Sequence, residues 1–220
     1  MIVAVDGPVA AGKGTLARRL ARHFGFAYLD SGSLYRATAL RLVRSGLDPG
    51  NPGEAARAAA RIEPEDLQNP DLRMEAVGAA ASIVAQHREV RAALLAFQRE
   101  FAHHPPGQAK GAVLDGRDIG TVVCPDADVK IFVTASPEVR ASRRHLELSQ
   151  SQAAQQFGGE TPSFAKVLAD LRERDRRDQN RGIAPLKPAA DAHLLDSTNL
   201  DIEAAFQAAQ SIVAARIERA

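Results

Sequence analysis

Residues 2–5, IVAV, run without a polar break into Asp6. A short fully apolar run of this kind predicts a strand buried on both faces, as in a parallel sheet. Beyond a glycine-rich stretch, Leu16, Leu20 and Phe24 recur every four residues, while Arg18, Arg19 and Arg22 fall on other faces. That spacing predicts an amphipathic helix, closed by Gly25. Residues 27–29 predict a second strand and 33–44 a helix, followed by a turn-rich break at 45–53, SGLDPGNPG. Residues 54–101 are rich in Ala, Arg and Glu. They predict one helix near 54–61 and a longer one near 74–101, interrupted around His87. A loop at 103–111 precedes a third strand at 112–115, and a fourth follows at 129–135. Ser136 and Pro137 suit the cap and first position of a helix over 136–148. Residues 149–163 are polar and glycine-containing and predict a mobile segment. A strongly charged helix over 165–181 ends at Gly182. A fifth strand at 193–197 and an amphipathic helix at 201–219 complete the pattern, which contains no internal repeat.

Strands alternating with helices predict an α/β fold: a five-stranded parallel sheet with helices on both faces. Binding sites in such sheets lie beyond the carboxyl ends of the strands. The length of 220 residues suits one domain carrying insertions, and 45 % apolar content is enough for a core. A net charge of +1 gives no reason to expect a nucleic acid polymer or a membrane as partner, although arginines bunch at 172–181. Cys124 is the sole cysteine, which excludes an intrachain disulfide and a cysteine-based zinc site. It reads as a small apolar residue closing TVVC. The apolar run at 2–5 stops too early for a secretory signal, and no apolar stretch approaches ~20 residues, so a soluble cytoplasmic protein is expected. The six histidines form no spaced metal set.

Candidate chemistry enters at residues 7–15, GPVAAGKGT. Gly7, Pro8, Val9, Ala10, Ala11, Gly12 and Lys13 fit the pattern G-x-x-x-x-G-K between a predicted strand and a predicted helix, the context this motif requires. Glycines tolerate the φ angles that turn N–H groups inward around phosphates. The helix start adds partial positive charge, and Lys13 adds a full one. The competing reading is a glycine-rich turn with an exposed lysine. Gly14 stands where Ser or Thr is usual and leaves Thr15 as the hydroxyl nearest phosphate or Mg²⁺. The form GKGT is similar to that of nucleoside monophosphate kinases of the adenylate kinase type. Switch GTPases would add guanine-reading and switch motifs, which are missing from this sequence.

Three further segments bring polar residues to strand ends or one helix face: DSGSLYR at 30–36, DGRDIGTVV at 115–123 and ERDRRDQNR at 173–181. Arg36 follows a strand end and can pair with phosphate through its fork of donors. Arg117 and Asp118 follow Asp115 at another. Arg174, Arg177, Asp178 and Arg181 share a helix face by their spacing. A solvated salt-bridge face is the alternative reading of that run.

With the glycine loop, these segments closely resemble bacterial cytidylate kinase. The resemblance covers nearly the whole chain, including VKIFVTASPEVRASRR (129–144), APLKPAADA (184–192) and LLDST (194–198). It implies a three-layer P-loop NTPase fold with a nucleoside-monophosphate-binding insert near 37–100 and a short lid near 146–164. It also implies transfer of phosphate from ATP to CMP or dCMP with Mg²⁺ bound alongside ATP, by a protein expected to be monomeric. Residues 7–15 with Arg143 and Arg144 would serve ATP. Ser31 and Arg36 match positions at the CMP site, and Arg117 and Asp118 match positions near sugar, base and phosphate. Asp178 matches the carboxylate on the sugar, and Arg174 and Arg181 match phosphate binders. Ser82 and Arg91 match positions that read cytosine together with Asp118. Lys13, Arg117, Arg174 and Arg181 would carry the catalytic charge.

The sequence departs from the family's pattern in three places. Ala10 stands near where the family usually has Gly or Ser, a change expected to have little effect. Residues 46–73 carry little strand signal, although the family insert commonly contains a small antiparallel sheet. The loop at 103–111 is longer than expected. The alternatives are a P-loop kinase for UMP, AMP or shikimate, and a nucleotide-sensing or RNA-binding module without transfer activity. Aromatic content of 5 % with no Trp argues against RNA-stacking surfaces.

Overall fold

Strand β1 (Ile2–Asp6) is buried along its whole length and forms the middle of a five-stranded sheet ordered β2-β3-β1-β4-β5. The other strands are β2 (Ala27–Asp30), β3 (Ala112–Gly116), β4 (Val129–Thr134) and β5 (His193–Asp196), and every pairing is parallel. The structure, a computed structural model, describes residues 1–150 and 162–219. The chain order reverses at β1, between β3 and β4, so a crevice opens beyond the carboxyl ends of those strands.

Alternation along β1 assigns the layers. Val3 and Val5 face one side, where they pack with Leu16 and Leu20 of α1 (Lys13–Phe24) and Phe206 and Val213 of α8 (Ile202–Ile217). Ile2 and Ala4 face the other, against Leu114, Ile119, Cys124 and Ala102 of α5 (Arg88–His103). Cys124 is fully buried and burial pushes its thiol up to about 11, in keeping with a packing role.

Residues 31–103 are helical throughout their regular structure. Asp30 caps α2 (Ser31–Arg44) by accepting from the Gly32 amide at 2.9 Å, which starts the helix two residues earlier than the periodicity predicts. Helix α3 (Pro52–Ala59) is followed by two 3₁₀ turns at Pro64–Gln68 and Pro70–Arg73, then α4 (Glu75–Val84) and α5. The predicted interruption at His87 is the boundary between α4 and α5. Leu34, Leu42, Val77, Val84, Val90 and Leu94 form this region's own core. No strand occurs in 46–73, as the weak strand signal there anticipates.

Helix α6 (Pro137–Gln150) and α7 (Phe164–Gln179) pack on each other through Ala141, Val167 and Leu171. Val9 and Ala10 of the glycine loop rest on that small cluster. Of the expected lid at 146–164, residues 151–161 lie outside the described residues; 146–150 are the end of α6.

Candidate active site

The glycine loop bridges β1 and α1 with a backbone that few residues could adopt. Gly7 has φ +151°, and a Cβ there would stand 2.0 Å from the Val133 carbonyl oxygen on β4. Gly12 has φ +86°, and Ala10, which carries a side chain, has φ +58°. The small effect expected of alanine at position 10 therefore needs qualification. Its methyl is tolerated in space but held in a left-handed conformation that disfavours any Cβ.

Lys13 opens α1 with a buried side chain whose Nζ donates back to the Pro8 carbonyl at 3.4 Å. Burial, then the nearby Arg117 guanidinium, pulls its pKa down to about 8 against the pull of Asp115 and Asp30. The ammonium is thus held across its own loop rather than free in solvent. Gly14 explains the unusual GKGT. A Cβ there would lie 3.2 Å from Asp115 Oδ2 and 3.8 Å from the Tyr28 hydroxyl. Bare backbone at position 14 lets the end of β3 approach the start of α1, and Thr15 keeps its exposed place one residue on. Tyr28 donates to Asp115 Oδ2 at 2.6 Å, and burial pushes the Asp115 carboxyl up to about 6.

Lys13, Thr15, Arg36, Ser82, Arg144 and Arg174 line one cleft of about 550 Å³, so the loop and part of the predicted acceptor side face each other. Arg36 donates to the Leu72 carbonyl at 2.7 Å and lies over Gly78, where a Cβ would stand 3.0 Å from both terminal nitrogens. Ser31, buried at the start of α2, sits against Gly116; a Cβ there would reach 2.6 Å from Ser31 Oγ.

The other predicted acceptor residues stand behind that wall, paired with one another. Arg91 and Asp118 form a buried ion pair, and the Arg91 guanidinium lies 5.4 Å from the centre of the Tyr35 ring. The sequence suggests this pair as open base readers; here each holds the other. Arg117 donates through Nε to Asp178 Oδ2 at 3.0 Å. Burial works to raise the Asp178 carboxyl, but Arg117, Arg181 and Arg174 together hold it below the usual carboxylate range. Arg181 donates to the carbonyl of Ala184 at 2.8 Å, and Ala184 is itself left-handed at φ +49°. Ser82 Oγ accepts from Arg177 at 3.4 Å.

Arg143 and Arg144 part company. Arg143 is fixed to Ser197 Oγ at 3.0 Å and to the Ser197 carbonyl at 2.7 Å, beside Gly12. It belongs to the rigid wall under the loop. Arg144 lines the cleft and pairs with Glu147 at 3.1 Å.

Asp6 and Arg140 give no usable sequence signal, and Arg177 is legible only as one of the arginines on the charged helix face. Asp6 accepts from the amides of Ile119 and Gly120, both at 2.8 Å, and so fixes the π turn (Ile119–Val123) beside Asp118. Burial raises its carboxyl to about 6. Arg177 reaches Ser82, and Arg140 reaches the loop itself. A buried residue such as Arg140 shows its partners only in three dimensions. Asp115 was visible at a strand end, but its approach to Gly14 was not. Among the described residues no three His, Cys, Asp or Glu side chains cluster as a metal site. Thr15 offers a hydroxyl at the end of the loop, and the Asp115 carboxylate stands beside Gly14.

The family model for cytidylate kinase matches residues 3–214. The chain is 56 % identical over 215 residues to a cytidylate kinase of Paramagnetospirillum magneticum, covering 98 % of each chain. It is 55 % identical to a cytidylate kinase of Nitrobacter winogradskyi, over 97 % of this chain and 95 % of that one. An uncharacterized protein of Eubacterium ventriosum, 13 % identical, superposes with a TM-score of 0.51 over 100 % of this chain and 99 % of that chain, a likeness of fold alone. With the glycine loop and Lys13 lining one cleft with Arg36 and Arg174, and this identity along nearly the whole chain, the protein belongs to the cytidylate kinase family.

Proposed function

We infer that the chain transfers the γ-phosphoryl group of ATP to CMP or dCMP, giving ADP and CDP or dCDP. The observation that carries this reading is one cleft with the glycine loop and Lys13 on one wall and Arg36, Arg174 and Ser82 on the other. Phosphoryl transfer asks the protein for positioning and charge rather than for a nucleophile. The loop amides and the Lys13 ammonium take the β- and γ-phosphates. Arg36, Arg174 and Arg181 hold the acceptor phosphate, whose oxygen attacks the γ-phosphorus in line. The bond to the β–γ bridging oxygen breaks, and the charge moving onto ADP meets Lys13 and Arg117. Asp178, kept ionised by its arginines, suits a sugar hydroxyl donor. For cytosine, the exocyclic amine needs an acceptor and the ring nitrogen and carbonyl need donors. Asp118 with Arg91 and Ser82 provides both once base contacts replace some of their mutual ones.

ATP of this class travels with Mg²⁺, and the hard oxygens of Thr15 and Asp115 beside the loop fit such an ion, held largely by phosphate and water. When bound it would neutralise phosphate charge. Asp115 sits 3.2 Å from the Cβ position of Gly14 and is oriented by Tyr28, so it is preset for that duty. Arg144, which lines the cleft, is proposed to reach the ATP phosphates and help exclude water.

The test is a coupled ADP assay across CMP, dCMP, UMP, AMP and shikimate. CMP and dCMP should give the fastest turnover, UMP slower and AMP much slower. Equal stimulation by AMP or shikimate would remove the base-reading roles of Ser82, Arg91 and Asp118.

A further inference from the structure

Arg140 is 4 % exposed, and its guanidinium joins three separate parts of the chain. Nε donates to the Ala135 carbonyl at 3.0 Å, just past β4. One terminal nitrogen donates to the carbonyl of Val9 in the glycine loop at 3.2 Å. The other donates to Asp175 Oδ2 on α7 at 2.6 Å. Asp175 Oδ1 is buried with no hydrogen-bond partner among the described residues, so the contact with Arg140 is what fixes this carboxylate. Asp175 adjoins Arg174 and lies three residues before Asp178. The donor loop and the helix that carries acceptor groups are therefore tied through one side chain.

We propose that Arg140 is a positioning residue that sets the register of α7 against the phosphate loop, so that donor and acceptor phosphates meet in line. It touches neither substrate. The planar fork of an arginine serves three acceptors in fixed directions, which a lysine ammonium on a flexible stem does not. A small error in register is costly, because a displacement of about 1 Å can reduce turnover on the order of 100-fold. The packing of Val9 and Ala10 on Ala141, Val167 and Leu171 sets the same contact loosely; the ion pair fixes its direction. A second ion pair between these helices, Arg172–Glu138 at 2.8 Å, is exposed and away from the loop, and supplies a matched control.

The proposal rests on the phosphotransfer reading, which wild-type CMP-dependent ADP formation tests by itself; absence of that activity overturns both. With activity present, Arg140→Lys and Asp175→Asn should each lower kcat about 10- to 100-fold. Dissociation constants of CMP alone and of a non-hydrolysable ATP analogue alone should stay within about threefold. The double variant should lose little more than either single one, as expected of two residues acting through one contact. Arg172→Met should leave kcat unchanged. Asp175→Asn is isosteric and keeps the test open if changes at Arg140 prevent folding. Unchanged kcat in Asp175→Asn overturns the proposal, and so do multiplicative losses in the double variant. A kcat loss matched by weaker binary binding of either nucleotide would mean that Arg140 merely supports a wall, and would also overturn it.

Discussion

The two walls of the cleft are built by different physics. The proposed donor wall is nine consecutive residues that would bind largely through backbone amides, shaped by Gly7, Gly12 and the left-handed Ala10. The proposed acceptor side is made of side chains drawn from α2, α4 and α7 at the cleft, with those of α5 and the end of β3 behind them, and Arg36 and Arg181 lie 145 residues apart (181 − 36). On the first wall one cation, Lys13, is bent back on its own loop. On the second, opposite charges are matched in pairs: Arg91 with Asp118, Arg117 with Asp178. A backbone-built site depends on which residues can adopt its φ angles. A site of paired side chains depends on partners that must exchange one another for substrate.

The largest expected effect lies on the donor wall. Lys13→Ala removes the one cation of the loop and should lower kcat about 100- to 1000-fold, the loss typical of a deleted charge-stabilising donor. Folding should suffer little, since a buried cation costs desolvation that alanine avoids. Turnover close to wild type in the ADP assay would show that the loop acts by backbone alone. The pH dependence sharpens the same point. Burial, then Arg117, pulls the Lys13 ammonium down to about 8, and the ammonium form is the one that attracts triphosphate. Hence kcat/KM for ATP should be level below pH 8 and fall about tenfold per pH unit above it. A flat profile to pH 10 would mean that Asp115 and Asp30 offset the burial of Lys13 and keep its ammonium charged throughout that range.

On the acceptor wall, Asp118→Asn tests whether a paired carboxylate also reads a base. An amide can donate to the uracil carbonyl where a carboxylate can only accept. The preference for CMP over UMP, as a ratio of kcat/KM values, should therefore shrink about tenfold, one charged hydrogen bond's worth. The ratio is unaffected by any loss of folded protein. A preserved preference would confine Asp118 to holding Arg91.

The difference between the walls also decides what the sequence reveals. Ile2 to Thr15 reads as strand, loop and helix because each residue's role is local: an apolar run, glycines at fixed spacing, then a four-residue period. The sheet order follows less directly, since the pairing of β1 with both β3 and β4 is a long-range choice. For the acceptor wall, single arginines are ambiguous, and it took the resemblance of whole segments to single out Arg36, Arg117 and Arg181. The partners of those residues stayed hidden. Nothing in VRASRR sets Arg140 apart from Arg143, although one ties the loop to α7 and the other grips Ser197. The 3₁₀ turns at 64–73 and the π turn after Asp118 lack a periodic signal because tertiary contacts, such as the Asp6 clamp, form them.

The smallest effect tests how far the donor wall depends on backbone. In Ala10→Gly three terms compete. Relief of the left-handed conformation at φ +58° favours glycine by about 1–2 kcal/mol. Greater freedom of the unfolded chain opposes it by about 0.4–1 kcal/mol. Loss of a methyl that packs partly buried beside Ala141 and Val167 opposes it by up to about 0.8 kcal/mol. At mid-range the terms nearly offset, leaving glycine favoured by about 0.4 kcal/mol, so the melting temperature should move by only about 1–2 °C. The same cancellation accounts for alanine being admissible where a glycine would fit. Ala10→Val breaks the balance, because a β-branched side chain is far less tolerant of positive φ than alanine; its melting temperature should fall clearly while Ala10→Gly stays level. Equal melting temperatures for the valine and glycine variants would mean that the loop relaxes out of the left-handed conformation in solution, and that the donor wall is less rigidly set by its backbone than Gly7 and Gly12 imply.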